Sequence, residues 1–183
     1  TGLARRLAVP DRALLAYTGL LAQQPRSQVG LEILLGHYFE IPVTIRPLVG
    51  RWLTLDPEER TVLGRTGRHQ VLGGGAVLGG RIWDQESGFE LRLGPLHLHQ
   101  FLSFLPTLGN AFRSLVDLVR FYAGDGLDFT VRLTLKAGEV PPCRLGWGPR
   151  LGWSSWLKTK HFATDDSQVV VRGEGRPALR SGA

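Results

Sequence analysis

Few side chains of this sequence stand at spacings that support covalent or metal chemistry. Gly152-Trp-Ser154-Ser-Trp156 is one residue short of the G-x-S-x-G nucleophile elbow, because Trp156 stands where a second glycine must relieve the crowded turn. A serine nucleophile also needs a base oriented by a third group, and none of His37, His69, His97, His99 and His161 has a sequence context that singles it out. Structural serines are the better reading. His97-Leu-His99 would put two imidazoles on one face of a strand, yet no cysteine or further histidine lies near and no acidic residue falls between Glu90 and Asp117. Solvated or capping histidines fit that ligand count better. Cys143, beside Pro141 and Pro142, has no cysteine partner and no nearby helix N-terminus to lower its pKa, so it reads as a small inert residue. Asp165-Asp166 lacks the further oxygen ligands that Ca²⁺ needs, and Gly73 to Gly75 fit no phosphate-cradling glycine pattern. The expectation is no catalytic residue, no cofactor and no metal site.

The remaining chemistry is recognition. Arg144-Leu-Gly-Trp-Gly-Pro-Arg-Leu-Gly-Trp-Ser-Ser-Trp-Leu157 gathers three of the five tryptophans among closely spaced glycines. A tryptophan ends buried in a core or in a partner's pocket, and glycines let backbone approach another surface closely. We therefore take Trp147, Arg150, Leu151, Trp153 and Trp156 as the candidate partner-binding residues. Trp52 and Trp83 are expected to plug the core near strand ends.

These residues must be held by an α+β body. Apolar residues at Leu14, Leu15, Tyr17, Leu21 and Ala22 predict one amphipathic helix between Pro10 and Pro25. Val29, Leu31, Ile33, Leu34, Leu35, Tyr38 and Phe39 predict a second, capped by Ser27 and stopped by Pro42. The two form a helical hairpin over 1–40. Val43, Ile45, Leu48 and Trp52 then alternate as a strand that Pro47 confines to an edge or breaks. Glycine-rich 64–80 reads as a mobile excursion, and Val77 to Asp84 with Phe89 to Leu93 predict a β-hairpin across a four-residue loop. A helical pair follows at Leu98 to Leu105 and Gly109 to Tyr122, stopped by Gly124. Phe129, Val131, Leu133 and Leu135 make the clearest strand, with a last short one near Gln168 to Val171. The expected organisation is a body over 41–172 with loop extensions near 64–80 and 137–157, and a disordered tail at 173–183. Leu78-Gly-Gly-Arg-Ile-Trp83 is weakly echoed by Leu151-Gly-Trp-Ser-Ser-Trp156, a hint of two duplicated halves.

Composition bounds the class: 43% hydrophobic and 21% charged residues suit a globular domain, and no apolar run is long enough to span a bilayer. With neither a methionine nor a signal-peptide pattern, the sequence is expected to be a piece of a longer protein, and its single cysteine suits a reducing compartment. The formal charge of +6 comes mostly from arginines scattered without a basic run, which favours a solvated basic surface over a nucleic-acid role. A basic nucleic-acid or carbohydrate binding module, using arginine and exposed tryptophan, is the alternative.

One family shares these signals in order. Tyr17-x-Gly19-Leu-Leu, Arg26-Ser-x-x-Gly30-Leu-Glu-x-Leu-Leu35, Tyr38-Phe39, Pro42-Val43, Gly50-Arg-Trp52, Leu78-Gly-x-Arg81, Trp83-Asp84, Gly88-Phe89-x-Leu-x-Leu-Gly94-Pro95-Leu96, Phe104-Leu-Pro106, Leu145-Gly146 and Leu151-Gly-Trp-x-x-Trp-Leu157 together resemble TssG, also called ImpH or VasB. The resemblance runs over about residues 14 to 171, and Gly73 to Gly75 and Arg65 to His69 stand outside it. It implies a non-enzymatic wedge component of the type VI secretion baseplate, a contractile phage-tail-like machine on the cytoplasmic side of the inner membrane of Gram-negative bacteria. The implied partners are two copies of TssF, trimers of TssK, and TssE with other baseplate and sheath components, with neither nucleic acid nor membrane insertion. Two TssK-gripping extensions would suit the internal echo, and no catalytic residue is implied.

Overall fold

A computed structural model describes residues 8–64, 67–142, 153–156 and 162–173. The core is built by four strands in the order β1 (Val43–Arg46), β4 (Gly88–Leu96), β5 (Asp128–Leu135) and β6 (Asp166–Arg172). β1 and β6 run antiparallel to their neighbours, whereas β4 and β5 are parallel. A parallel pair needs a long crossover, supplied here by helices α4 (Leu98–Ser103) and α5 (Ala111–Ala123). Leu91, Leu93, Val131, Leu133, Val169 and Val171 point to one face, where α3 (Gln28–Phe39), α4 and α5 cover them with Leu34, Leu35, Phe101, Leu115 and Val119. The fold is α+β, as the sequence implies.

The local signals explain the elements. Ser27 caps α3, its Oγ accepting from the Gly30 amide at 3.1 Å, and Tyr122 of α5 donates its hydroxyl to the Ser27 carbonyl at 3.0 Å. The two helices meet so closely that a Cβ on Gly30 would collide with the Tyr122 hydroxyl. Gly124 ends α5 at φ 85°, a conformation that a glycine adopts without steric cost. The amphipathic stretch before Pro25 differs from expectation: it is two short helices, α1 (Asp11–Leu15) and α2 (Thr18–Ala22). The Thr18 hydroxyl donates to the Leu15 carbonyl at 3.1 Å, and the Tyr17 hydroxyl is hydrogen-bonded to His37 Nδ1 at 2.7 Å, so local side-chain bonds compete with a continuous helix.

The predicted hairpin of 77–84 with 89–93 does not form. β3 (Arg81–Asp84) pairs instead with β2 (Arg51–Thr54) as a separate two-stranded ribbon, leaving β4 to pair with β1. Asp84 is the reason: its carboxylate accepts from the Glu86 amide at 3.0 Å and from the Ser87 amide and hydroxyl, turning the chain away before β4 begins. The Val49 amide donates to the Gly88 carbonyl at 2.9 Å and closes the other side of the base. Residues 51–84 are thus an arm inserted between two antiparallel neighbours of the main sheet. Among the described residues, no helix is long and apolar enough to cross a membrane.

Candidate functional site

The arm is the most distinctive surface. Trp52 and Trp83 are register partners on the ribbon, their rings meeting edge to face with centroids 5.4 Å apart. The expected burial of these two residues is corrected here: they are 58% and 49% exposed. Among the described residues no third layer lies over this two-stranded ribbon, so each indole is covered mainly by the other ring. Gly50 lies against the Trp83 indole with no room for a Cβ, which fixes the ring at the root of the ribbon. Arg51 holds that root to the body by pairing with Asp128 at the start of β5 and with Asp84 at 3.8 Å. The Ser87 hydroxyl bonded to Asp84 holds that carboxyl below the usual carboxylate range, aided by the amide donors and Arg51.

Beyond the ribbon, the described residues of 55–80 carry no regular structure but are bonded internally. The Leu55 amide reaches the Gly80 carbonyl at 3.0 Å, Arg60 Nε donates to the Leu55 carbonyl at 3.0 Å, and Gln70 Nε2 donates to the carbonyls of Val62 and Gly64 at 2.9 and 2.7 Å. Thr61 links both sides, its hydroxyl donating to the His69 carbonyl and accepting from the Val77 amide. This framework turns Leu63, Val71, Leu72 and Leu78 outward, Leu72 and Leu78 being 94% and 98% exposed. An apolar group left in water by an ordered backbone is a ready contact for a partner.

The tryptophan-rich segment is placed in part. Trp147, Arg150 and Leu151 lie outside the described residues, as does Cys143. Trp156 is buried at 7% exposure, with its ring beside Phe101 and its Nε1 donating to Asp166 Oδ2 at 2.5 Å. Its indole therefore fastens the segment to the edge strand β6. Trp153 is half-buried against the core, and Ser154 is buried. Within the internal echo, Trp83 and Trp156 thus stand in opposite environments.

The titratable groups near the loops serve structure. His97 occupies the N-cap of α4, its amide donating to Gln100 Oε1 at 3.0 Å, while its ring bonds Glu139 at 2.5 Å and Lys136 at 2.7 Å. The Leu98 amide, and then His97, hold the Glu139 carboxyl below its ordinary range. Sequence reasoning anticipated a capping histidine here. It missed the buried Glu90, which receives Arg92 Nε at 2.7 Å and Arg132 Nη2 and Nε at 2.8 and 3.0 Å. Burial pushes the Glu90 carboxyl up, but these donors outweigh it and the net shift is downward. The signal was present: a glutamate with arginine two residues on, inside an otherwise apolar strand, places both on one face. Among the described residues, no group of three or more histidine, cysteine or acidic side chains could hold a metal.

A family model described as Type VI secretion, TssG matches residues 1–158. The fold is similar to a chain in the type VI secretion system TssK-TssF-TssG baseplate subcomplex determined by cryo-electron microscopy, with TM-score 0.69 and 20% identity over 100% of this chain and 75% of that one. It is also similar to a chain in the baseplate complex from the type VI secretion system, with TM-score 0.63 and 20% identity over 100% of this chain and 52% of that one. No curated protein sequence matches.

Proposed function

The chain belongs to the TssG family of type VI secretion proteins, and from that membership we propose that it is a structural wedge component of the secretion baseplate, bridging TssF-like and TssK-like subunits. The observation that carries the bridging reading is the arm: a ribbon root that leaves two edge-to-face tryptophans and a group of aliphatic side chains in solvent. Tryptophans held at such a position supply large apolar contact at little entropic cost, which is how binding hot spots work. The second grip is the segment 139–157, where Trp147, Arg150, Leu151 and Trp153 meet the partner and Trp156 anchors the base to β6. The body performs no catalysis in this reading. Its task is to hold two recognition segments apart on one core.

The partners are a pair of TssF copies, TssK trimers, and TssE with the sheath and tube components, assembled at a baseplate docked to the cytoplasmic side of the inner membrane. Apolar insertion makes such contacts resistant to salt, unlike a phosphate-dominated interface. Co-purification of the chain with TssF-like and TssK-like proteins at low and high salt tests the reading. A complex that persists in high salt and is lost on deleting 55–80 is the expected result; binding to neither protein by well-folded chain overturns it.

A further inference from the structure

The main sheet has a second face, which none of α3, α4 and α5 covers. Its side chains follow from the register: Arg46, Glu90, Thr130 and Arg172 form one row across β1, β4, β5 and β6, and Thr44, Arg92, Arg132 and Val170 form the next. Four arginines therefore share this face with Glu90 and with Asp128, the latter paired with Arg51 at the start of β5. Arg92 and Arg132 converge on Glu90, and Arg132 also donates to the Ser167 carbonyl at 3.0 Å. Arg46 and Arg172, at the two edges of the row, are exposed and have no hydrogen-bonding or ionic partner among the described residues. Three strand spacings separate them, about 14 Å.

We propose that this open sheet face docks a carboxylate-rich protein segment, independently of the arm. Charge complementarity selects the occupant. Two free guanidiniums, on either side of a centre where Arg92 and Arg132 outnumber the one Glu90 carboxylate, suit separate carboxylates, each taken in bidentate fashion by a planar fork. A polynucleotide would want rings for its bases to stack on, and among the described residues this face offers none, its remaining positions being Thr44, Asp128, Thr130, Thr134, Gln168 and Val170. The threonines keep the face low between the arginines, so a partner's backbone can approach.

The edge arginines can be altered without unpairing Glu90, which makes the test clean. The full chain is titrated by fluorescence anisotropy with a labelled peptide of repeating Glu-Glu-Ala-Ala blocks and, separately, with labelled single-stranded DNA of equal charge. The chain binds the peptide more tightly than the DNA, and the double variant Arg46→Glu/Arg172→Glu weakens the peptide by roughly tenfold or more. Arg46→Gln/Arg172→Gln adds no negative charge beside Glu90 and weakens it by less; circular dichroism melts confirm that both variants fold. Peptide affinity that is negligible in the wild type or unchanged in both variants overturns the proposal. Tighter binding of the DNA, lost in the same variants, overturns the choice of occupant. Neither probe involves TssF or TssK, so a chain that assembles with them yet ignores the peptide defeats this inference alone.

Discussion

Replacing both ribbon tryptophans, Trp52→Ala with Trp83→Ala, separates recognition from folding. Each indole is about half exposed, 58% and 49%, and its main described ring contact is the other. A tryptophan side chain presents about 200 Å², so each leaves roughly 100 Å² for a partner to cover. At about 25 cal/mol per Å² that area is worth roughly 2.5 kcal/mol per ring if wholly buried, and the mutual contact reduces the pair to about 4 kcal/mol. The double variant should weaken partner binding by a factor on the order of 10² to 10³, each 1.4 kcal/mol being tenfold. Stability should fall by no more than about 1–2 kcal/mol, since the main core is untouched. Titration of the variant with the purified TssK-like and TssF-like proteins, beside a urea melt, reads both quantities. Affinity for both within twofold of wild type, in a variant that melts normally, refutes the reasoning.

Trp153→Ala should weaken partner binding at the second grip while the chain stays folded, and unchanged binding in the same titrations rejects that site. Trp156→Phe keeps the ring but leaves the buried Asp166 carboxylate without its indole donor, so a loss of about 1–3 kcal/mol is expected in a urea melt. Glu90 has a depressed folded-state pKa, so its stabilising contribution is complete above the ordinary glutamate range and fades as pH falls through the folded value. Glu90→Gln should therefore lower stability at neutral pH and flatten the acid limb of stability against pH; parallel acid limbs would contradict the pairing. Gly30→Ala forces the Tyr122 hydroxyl away from the Ser27 carbonyl and should cost about 1–3 kcal/mol, checked by thermal melting.

What the sequence made legible is local. Ser27 and Pro42 bracket α3, Gly124 stops α5, and the alternation from Phe129 to Leu135 marks which side chains of β5 face the core. Pairing was harder. The short loop after Asp84 resembled a hairpin turn, whereas the Asp84 side chain uses it to leave the ribbon; and two helices between β4 and β5 were a crossover signal that length and order alone contained. The tryptophans were misjudged for a general reason. Periodicity groups residues on a face but does not say whether another layer covers it, so Trp52 and Trp83 read as core while a ribbon with no covering layer leaves them in water. Trp156 shows the converse, since its burial depends on Phe101 and Asp166, remote contacts that the glycine-rich spacing around it does not reveal.

The central claim is that this chain bridges subunits through apolar segments. The most direct test mixes it with TssF-like and TssK-like proteins and determines the mass of the product in solution at low and at high salt. One species containing all three proteins is expected under both conditions. Well-folded chain that remains free of both proteins, or a complex that dissolves as salt is raised, would contradict it.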